Sequence, residues 1–318
     1  MPIPRIAIRI LPLAALFLCG TAFAQEFPAR LIRIVTSPPG GNNDFSARLI
    51  MKGLTEKAGW QVVVDNRATL VAPEVVARSL PDGYTLLFGG GSFISGSLLE
   101  KLSYDPLRDF TAVSITHRQP NVLVVHPSVP AKSVKELIAL AKARPRALNY
   151  GSAGAGSTNH LAMELFNVMA GVKTVRINYK GVGPAVNALA SGEVHLMIVN
   201  LPAVSGYIES GRLRQLAITS TEPSPLRPGL PTMAAAGVPG FESVLISGVF
   251  APVATPAPAV NRLNQEIVRA INLPEIKEKF LALGIETVGS SPQQATAAIK
   301  SEIAKVGRLI KEAGIHTQ

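Results

Sequence analysis

Val35–Arg48 reads VTSPPGGNNDFSAR, and Tyr150–Glu164 reads YGSAGAGSTNHLAME. Both follow one plan: a strand, a loop of Gly and Ser, a polar helix cap, then a helical pattern. Asn178–Leu189 (NYKGVGPAVNAL) repeats it more loosely, with Pro184 suited to the first helical position. Strand, glycine turn and helix in that order build α/β units with mainly parallel sheets. Each turn places free backbone N–H groups and a positive dipole end at the carboxyl edge of the sheet, where open α/β sheets take ligands. A carboxylate or phosphate suits such a terminus.

The rest of the chain keeps the rhythm. Strands are expected at Leu31–Thr36, Gln61–Asp65, Tyr84–Phe88, Asn121–His126, Leu148–Tyr150, Thr174–Asn178, Val194–Val199 and Gln215–Thr219. Helices are expected at Asp44–Ala58, Pro73–Leu80, Ser133–Arg144, Thr158–Ala170 and Pro184–Ala190. Ser133 with Glu136 three residues on makes a capping box. Thr221–Pro239 reads as a long Pro- and Gly-rich loop around one short helix at Pro231–Ala236. Ser243–Pro252 is then strand-like, and helices near Pro256–Ile271, Pro274–Leu283 and Pro292–Ala313 close the chain. The last interleaves Ile299, Ile303, Val306 and Ile310 with Lys300, Glu302, Lys305, Arg308 and Lys311, the pattern of a helix packed on its own domain.

The chain has 318 residues, 47% apolar and 16% charged, with 31 Lys+Arg against 21 Asp+Glu. That composition folds, and the length suits about two domains of roughly 150 residues. No apolar stretch reaches the ~20 residues that cross a bilayer. Met1–Ala24 reads as a cleavable export signal. Arg5 and Arg9 form its positive start, Ile10–Leu18 its short apolar core, and Ala22-Phe23-Ala24 its cleavage site, so the mature chain starts at Gln25. The single cysteine, Cys19, lies within it, and Phe17 and Leu18 before it do not suit lipidation. The mature chain then has neither disulfide nor thiol chemistry. Such a signal points to a bacterial periplasm or secreted space, where ATP, NAD and nucleic acid are scarce.

Several chemistries lack their residues. Gly151–Thr158 has the spacing of a P-loop but carries Ser157 where the lysine belongs. The loops hold no dinucleotide fingerprint, and G-x-S-x-G occurs nowhere. The five histidines, His117, His126, His160, His195 and His316, show no metal-binding spacing. Positive charge is dispersed, which speaks against nucleic acid. Anion-cradling loops without a reactive group remain, and they suit binding better than catalysis.

The ordered motifs resemble the Bug family of periplasmic solute-binding proteins. They are Ser37–Asp44 with Ala47-Arg48; Asn66-Arg67; Ala77-Arg78 with Pro81–Leu87; Leu102–Pro106 with Asp109-Phe110; Tyr150–Ser152 with Gly156-Ser157 and His160–Ala162; Tyr179–Gly181; Asn200–Pro202; and Leu230–Thr232 with Ala236-Gly237. The resemblance implies a two-lobed, type II periplasmic-binding-protein fold, α/β in both lobes, with the ligand between lobes joined by crossing strands. With the strands at Asn121–His126 and Ser243–Pro252, it places one lobe at residues 25–125 and 246–318 and the other at 126–245. It implies a small carboxylate or similar small polar solute as ligand, the permease of a tripartite tricarboxylate transporter as partner, no cofactor or metal, and a monomer. Two departures mark this chain. Ala68–Ala72 replaces a Pro-Gly-Ala-Gly-Gly-like run, and Val199 replaces an Asp.

The candidate ligand contacts are Pro39, Gly40, Gly41, Asn43, Asp44, Ser92, Ser152, Ser157, Thr158, His160, Tyr179, Lys180, Gly181 and Asn200. Asp44 reads first as a helix cap and loop brace, because a bare carboxylate repels an anion. Ser152, Ser157 and Thr158 can cap their helix and donate to a ligand. His160 suits packing as well as contact, and Lys180 equally suits a solvated surface. A helix terminus contributes roughly 0.3–1 kcal/mol to an anion, up to about 2 when partly buried. Micromolar affinity takes about 8 kcal/mol. Hydrogen bonds from both lobes, with water expelled on closure, must supply the rest. A secreted α/β enzyme acting on an anionic substrate, or a ligand sensor signalling to a membrane partner, would carry the same loops.

Overall fold

The structure is a computed structural model that describes residues 27–98, 101–154 and 156–312. The signal segment Met1–Ala24, with Cys19, and Ala313 at the end of the last expected helix lie outside the described residues.

The first lobe begins with β1 (Ile32–Thr36), α1 (Asn42–Ala58), β2 (Val62–Asn66), α2 (Val71–Ala77), β3 (Thr85–Gly89) and the short α3 (Gly91–Ser95). Ile32, Ile34 and Val35 are fully buried because β1 lies between β2 and β3, parallel to both. Strand β4 (Phe110–Val125) then runs for 16 residues.

The second lobe follows with α4 (Val134–Ala143), β5 (Asn149–Ser152), α5 (Thr158–Ala170), β6 (Val175–Asn178), α6 (Val182–Ser191), β7 (Leu196–Asn200), α7 (Ser205–Glu209) and β8 (Arg214–Ile218). Helix α4 starts as its sequence dictates. Ser133 Oγ accepts the Glu136 N–H at 3.2 Å, and Glu136 reaches back to the Lys132 N–H at 2.8 Å. Strand β9 (Val244–Pro252), α8 (Ala257–Ile271), α9 (Pro274–Ala282), β10 (Glu286–Thr287) and α10 (Pro292–Glu312) complete the chain.

The strands form one sheet in the order β2-β1-β3-β9-β4-β7-β5-β6, with β8 and β10 also paired to β4. The outer pairs are parallel, and every pairing made by β4 and β9 is antiparallel. Phe110–Pro120 of β4 pairs with β9, Asn121–Val125 with β7 and Val122–Val125 with β8. Pro120, which has no N–H for a ladder, stands at this change of partners. β4 and β9 therefore tie the two halves of the sheet together.

Both faces of each half are covered. On the first half, Ile50, Leu54, Leu263 and Phe280 fill one side, and Val76, Phe93 and Ile299 the other. On the second, Leu137, Tyr150 and Phe166 face Val186 and Leu189 across the strands. Burial of such large side chains contributes about 1.5–3 kcal/mol each, so each half carries its own core.

The structure differs from the sequence reading in several places. Phe110–Pro120 is strand although Arg118, Gln119 and Pro120 break its apolar pattern, because the central ladder with β9 supplies its pairing. Pro231–Ala236 does not form a helix. Pro231 O accepts the Ile218 N–H at 2.9 Å and the Met233 N–H reaches Ile218 O at 2.8 Å, so its backbone serves the edge of β8. Helix α6 starts at Val182, two residues before Pro184.

Candidate functional site

Between the halves of the sheet lies a cavity of about 810 Å³. The first lobe contributes Asn42 at the start of α1, Thr69 and Leu70 before α2, and Gly91 and Ser92 at the start of α3. The second contributes Gly154, Gly156, Ser157 and Thr158 from the β5–α5 loop, Asn178 at the end of β6 and Asn200 at the end of β7. Gln119 and Asn121 of β4 and Ser243–Leu245 entering β9 line it where the halves join. The starts of α1 and α5 thus reach one hollow, bringing a positive dipole end to it from each lobe.

Hydrogen bonds hold these groups in place. Asn42 Nδ2 donates to Gln119 Oε1 at 3.3 Å. Asn121 Nδ2 donates to Ser243 O at 3.2 Å, and its main-chain N–H donates to Thr219 Oγ1 at 2.8 Å. Asn200 Oδ1 accepts the Ala203 N–H at 3.1 Å, capping the turn after β7. In the β5–α5 loop, Ser157 Oγ lies 2.8 Å from both Gly154 O and Asn159 Oδ1 and caps α5 by accepting the His160 N–H at 3.4 Å. Asn159 Nδ2 holds Gly151 O at 3.3 Å. Gly154 and Gly156 take positive φ of 137° and 73°, which glycine adopts freely and which lets the main chain turn at the cavity.

Of the residues expected from sequence, Ser92, Ser157, Thr158 and Asn200 line the cavity. Pro39, Gly40, Gly41, Asn43 and Asp44 lie outside its lining and flank Asn42, which the sequence reading passed over. Asp44 accepts from Gly40 N–H at 3.0 Å, Asn66 Nδ2 at 2.8 Å and Arg48 Nε at 2.9 Å. Burial pushes its carboxyl up, but the hydrogen bonds from Asn66, Gly40 and Arg48 outweigh that and hold it below the usual range. Asn66 Nδ2 also donates to Ser37 O at 2.8 Å, so this cluster ties the β1–α1 loop to the end of β2.

Ser152 and His160 are buried beside the β5–α5 loop rather than in the lining. Ser152 Oγ donates to Gly154 O at 3.0 Å, and His160 Nδ1 accepts the Gly156 N–H at 3.0 Å. Tyr179, Lys180 and Gly181 follow Asn178 but also stand outside the lining. Tyr179 Oη donates to Glu193 at 2.7 Å, and burial together with that carboxylate pushes its phenol up to about 12. Lys180 is exposed, and Gly181 caps α6 with φ 153°.

The sequence reading missed Gln119, Asn121, Asn178, Ser243–Leu245 and the α10 residues Glu302, Lys305, Val306 and Leu309. Asn178 had a usable signal, since it ends a strand as Asn200 does. The α10 residues had none, because their place follows from the chain's return across the cleft.

A sheet in two halves, crossed by two long strands, with helix starts from both halves opening on one hollow, defines a two-lobed ligand-binding protein. Residues 46–315 match the family model of the tripartite tricarboxylate transporter family receptor, TctC. The chain belongs to that receptor family. It is 38% identical to protein BugT of Bordetella pertussis over 298 residues, 92% of this chain and 91% of that protein. A solved R. palustris protein with adipate is 39% identical, with a TM-score of 0.73 over 91% of this chain and 99% of that one. Another from Rhodopseudomonas palustris, MatC with bound malate, is 28% identical, with a TM-score of 0.68 over 89% of this chain and 100% of that one.

Proposed function

We propose that this chain is exported to the periplasm, cleaved after Ala24, binds a small carboxylate between its lobes as a monomer, and delivers it to the membrane permease of its transporter. Residues 25–125 with 246–318 and residues 126–245 are the two lobes of this reading, with β4 and β9 as the hinge strands. The convergence of helix starts from both lobes on one cavity carries it. The two relatives are described with adipate and malate, both dicarboxylates, which supports a carboxylate group as what the cavity receives.

Ser157 supports binding over turnover. Its hydroxyl lies against Gly154 O and Asn159 Oδ1, not against a base, and Nδ1 of nearby His160 is occupied by the Gly156 N–H. A nucleophile needs a base within hydrogen-bond reach.

Thermal-shift screening of the mature protein against mono-, di- and aromatic carboxylates tests the reading. Stabilisation by at least one carboxylate is expected, without its consumption. Ser157→Ala is expected to weaken that carboxylate about fivefold, the equivalent of one net hydrogen bond of about 1 kcal/mol, and to lower stability by about 1 kcal/mol through the lost α5 cap without unfolding the protein. A panel in which no carboxylate stabilises the protein would remove the proposal.

A further inference from the structure

One wall of the cavity differs from the rest. Thr158, Leu161, Ala162 and Leu165 form an i, i+3, i+4, i+7 stripe along α5, and Glu302, Lys305, Val306 and Leu309 form the same stripe along α10. Helix α10 packs on β4 and α3 of the first lobe and also meets α5 of the second. Each stripe is about 10 Å long at 1.5 Å per residue. Leu161, Leu165, Val306 and Leu309 make this wall apolar. The cavity, at about 810 Å³, is in the upper part of the range of roughly 300–1,000 Å³ that small-molecule sites occupy.

Every formally charged residue lining the cavity is on or beside this wall: Glu242, Glu302 and Lys305. Lys305 Nζ lies 2.7 Å from Glu302 Oε2 and 3.6 Å from Glu242 Oε2. The cation is thus already committed to two carboxylates, and the trio carries one net negative charge. Each of the three side chains is largely withdrawn from solvent, 37% exposed at most, so the charge is only partly screened. A ligand carboxylate is therefore received by helix starts and amides, while a second carboxylate reaching this wall meets repulsion and a lysine already in use.

We propose that Glu242 and Glu302 determine specificity, selecting a carboxylate with an apolar body and an uncharged or cationic opposite end, and rejecting dicarboxylates. This rests on the carboxylate-receptor reading above. The paired lysine acts as a hidden alternative: once its carboxylates are neutralised, it becomes free to receive a second acid group.

Calorimetry with hexanoate, 6-hydroxyhexanoate, 6-aminohexanoate and adipate as probes tests it, on the mature chain and on the Glu242→Gln/Glu302→Gln double variant. The mature chain is expected to bind adipate at least tenfold more weakly than hexanoate or 6-hydroxyhexanoate. The double variant is expected to raise adipate affinity relative to hexanoate at least tenfold. A gain in affinity cannot come from misfolding, and Glu302→Gln alone, with a smaller gain in the same direction, is the second variant. Adipate binding as tightly as hexanoate in the mature chain, or an adipate gap unmoved in both variants, overturns this inference and leaves the carboxylate reading standing. Failure of every probe, alongside binding of a solute without a carboxylate, overturns both.

Discussion

The main-chain N–H of Gly156 donates to Nδ1 of His160 at 3.0 Å, tying a cavity-lining loop to the first turn of the helix that follows it. The bond requires Nδ1 to be unprotonated. Burial, then the Arg176 guanidinium 3.0 Å from Nε2, lowers the affinity of this ring for a proton, and Glu164 opposes them weakly. The neutral ring is therefore the folded form. As pH falls below the ordinary histidine value of about 6.5, the unfolded chain takes the proton first, and stability falls. Ligand affinity is expected to hold from pH 8 to below 6.5, because the folded ring stays neutral there, and to decline only where the folded ring takes its proton. His160→Gln is expected to bind about fivefold more weakly at pH 7.5, the loss of one hydrogen bond of about 1 kcal/mol, and to show a flatter acid limb. Titration calorimetry across pH checks both, and an acid limb unaltered in the variant would show that His160 is not its source.

His117 makes a separate prediction about the fold. It is buried in β4, with its ring 5.7 Å from that of Phe88 and 5.2 Å from that of Phe280. Burial lowers its pKa to about 3. The unfolded chain gains a proton near pH 6.5 and the folded chain does not until about pH 3, so stability falls throughout that window as pH drops. The slope for one such group is about 1.4 kcal/mol per pH unit. His117→Phe, which keeps an aromatic ring between Phe88 and Phe280, is expected to remove that slope. Urea unfolding at pH 7, 6, 5 and 4 measures it, and equal slopes in both proteins would exclude His117 as the cause.

Residues whose role is local were legible in the sequence, and those set by chain return were not. Ser133 and Glu136 fix the start of α4, and Ser157 caps α5, because a cap depends only on neighbours within four residues. Ser92, Ser157, Thr158 and Asn200 follow strands in a repeating α/β plan, so their placement at the cavity could be read from order alone. Asn42 escaped notice because Gly40, Gly41 and Asp44 beside it carry stronger local signals, which the structure uses for turn and brace. Gln119 and Asn121 sit in a strand whose polar residues hide its length. Glu242, Glu302 and Lys305 come together from segments sixty residues apart, and nothing in the spacing of a helix says what crosses its face. Thr232 shows the converse: Pro231–Ala236 has local helical signals, but the edge of β8 claims its backbone.

Gly248 in β9 packs tightly against the main chain of β4, and it carries the last prediction. A Cβ at Gly248 would lie 2.3 Å from Ser114 O and 3.1 Å from Ile115 Cα, both main-chain atoms of β4. The register of the β4–β9 pair is irregular beside them, between Ala112 and Ser114 and between Ile115 and His117. Backbone cannot swing aside as a long side chain can, so the two strands must part. Gly248→Ala is expected to cost about 1–3 kcal/mol, the range for overpacked interiors, and to weaken ligand binding as well because both strands pass between the lobes. Gly183, in the first turn of α6, is the control. A Cβ there meets nothing within 4 Å, so Gly183→Ala is expected to stabilise by about 0.4–1 kcal/mol through the unfolded chain and to leave binding unchanged. Paired denaturation and ligand titrations of the two variants separate the effects. A Gly248→Ala protein as stable as the parent would show that β4 and β9 accommodate the added methyl and that this approach does not limit the packing of the two strands.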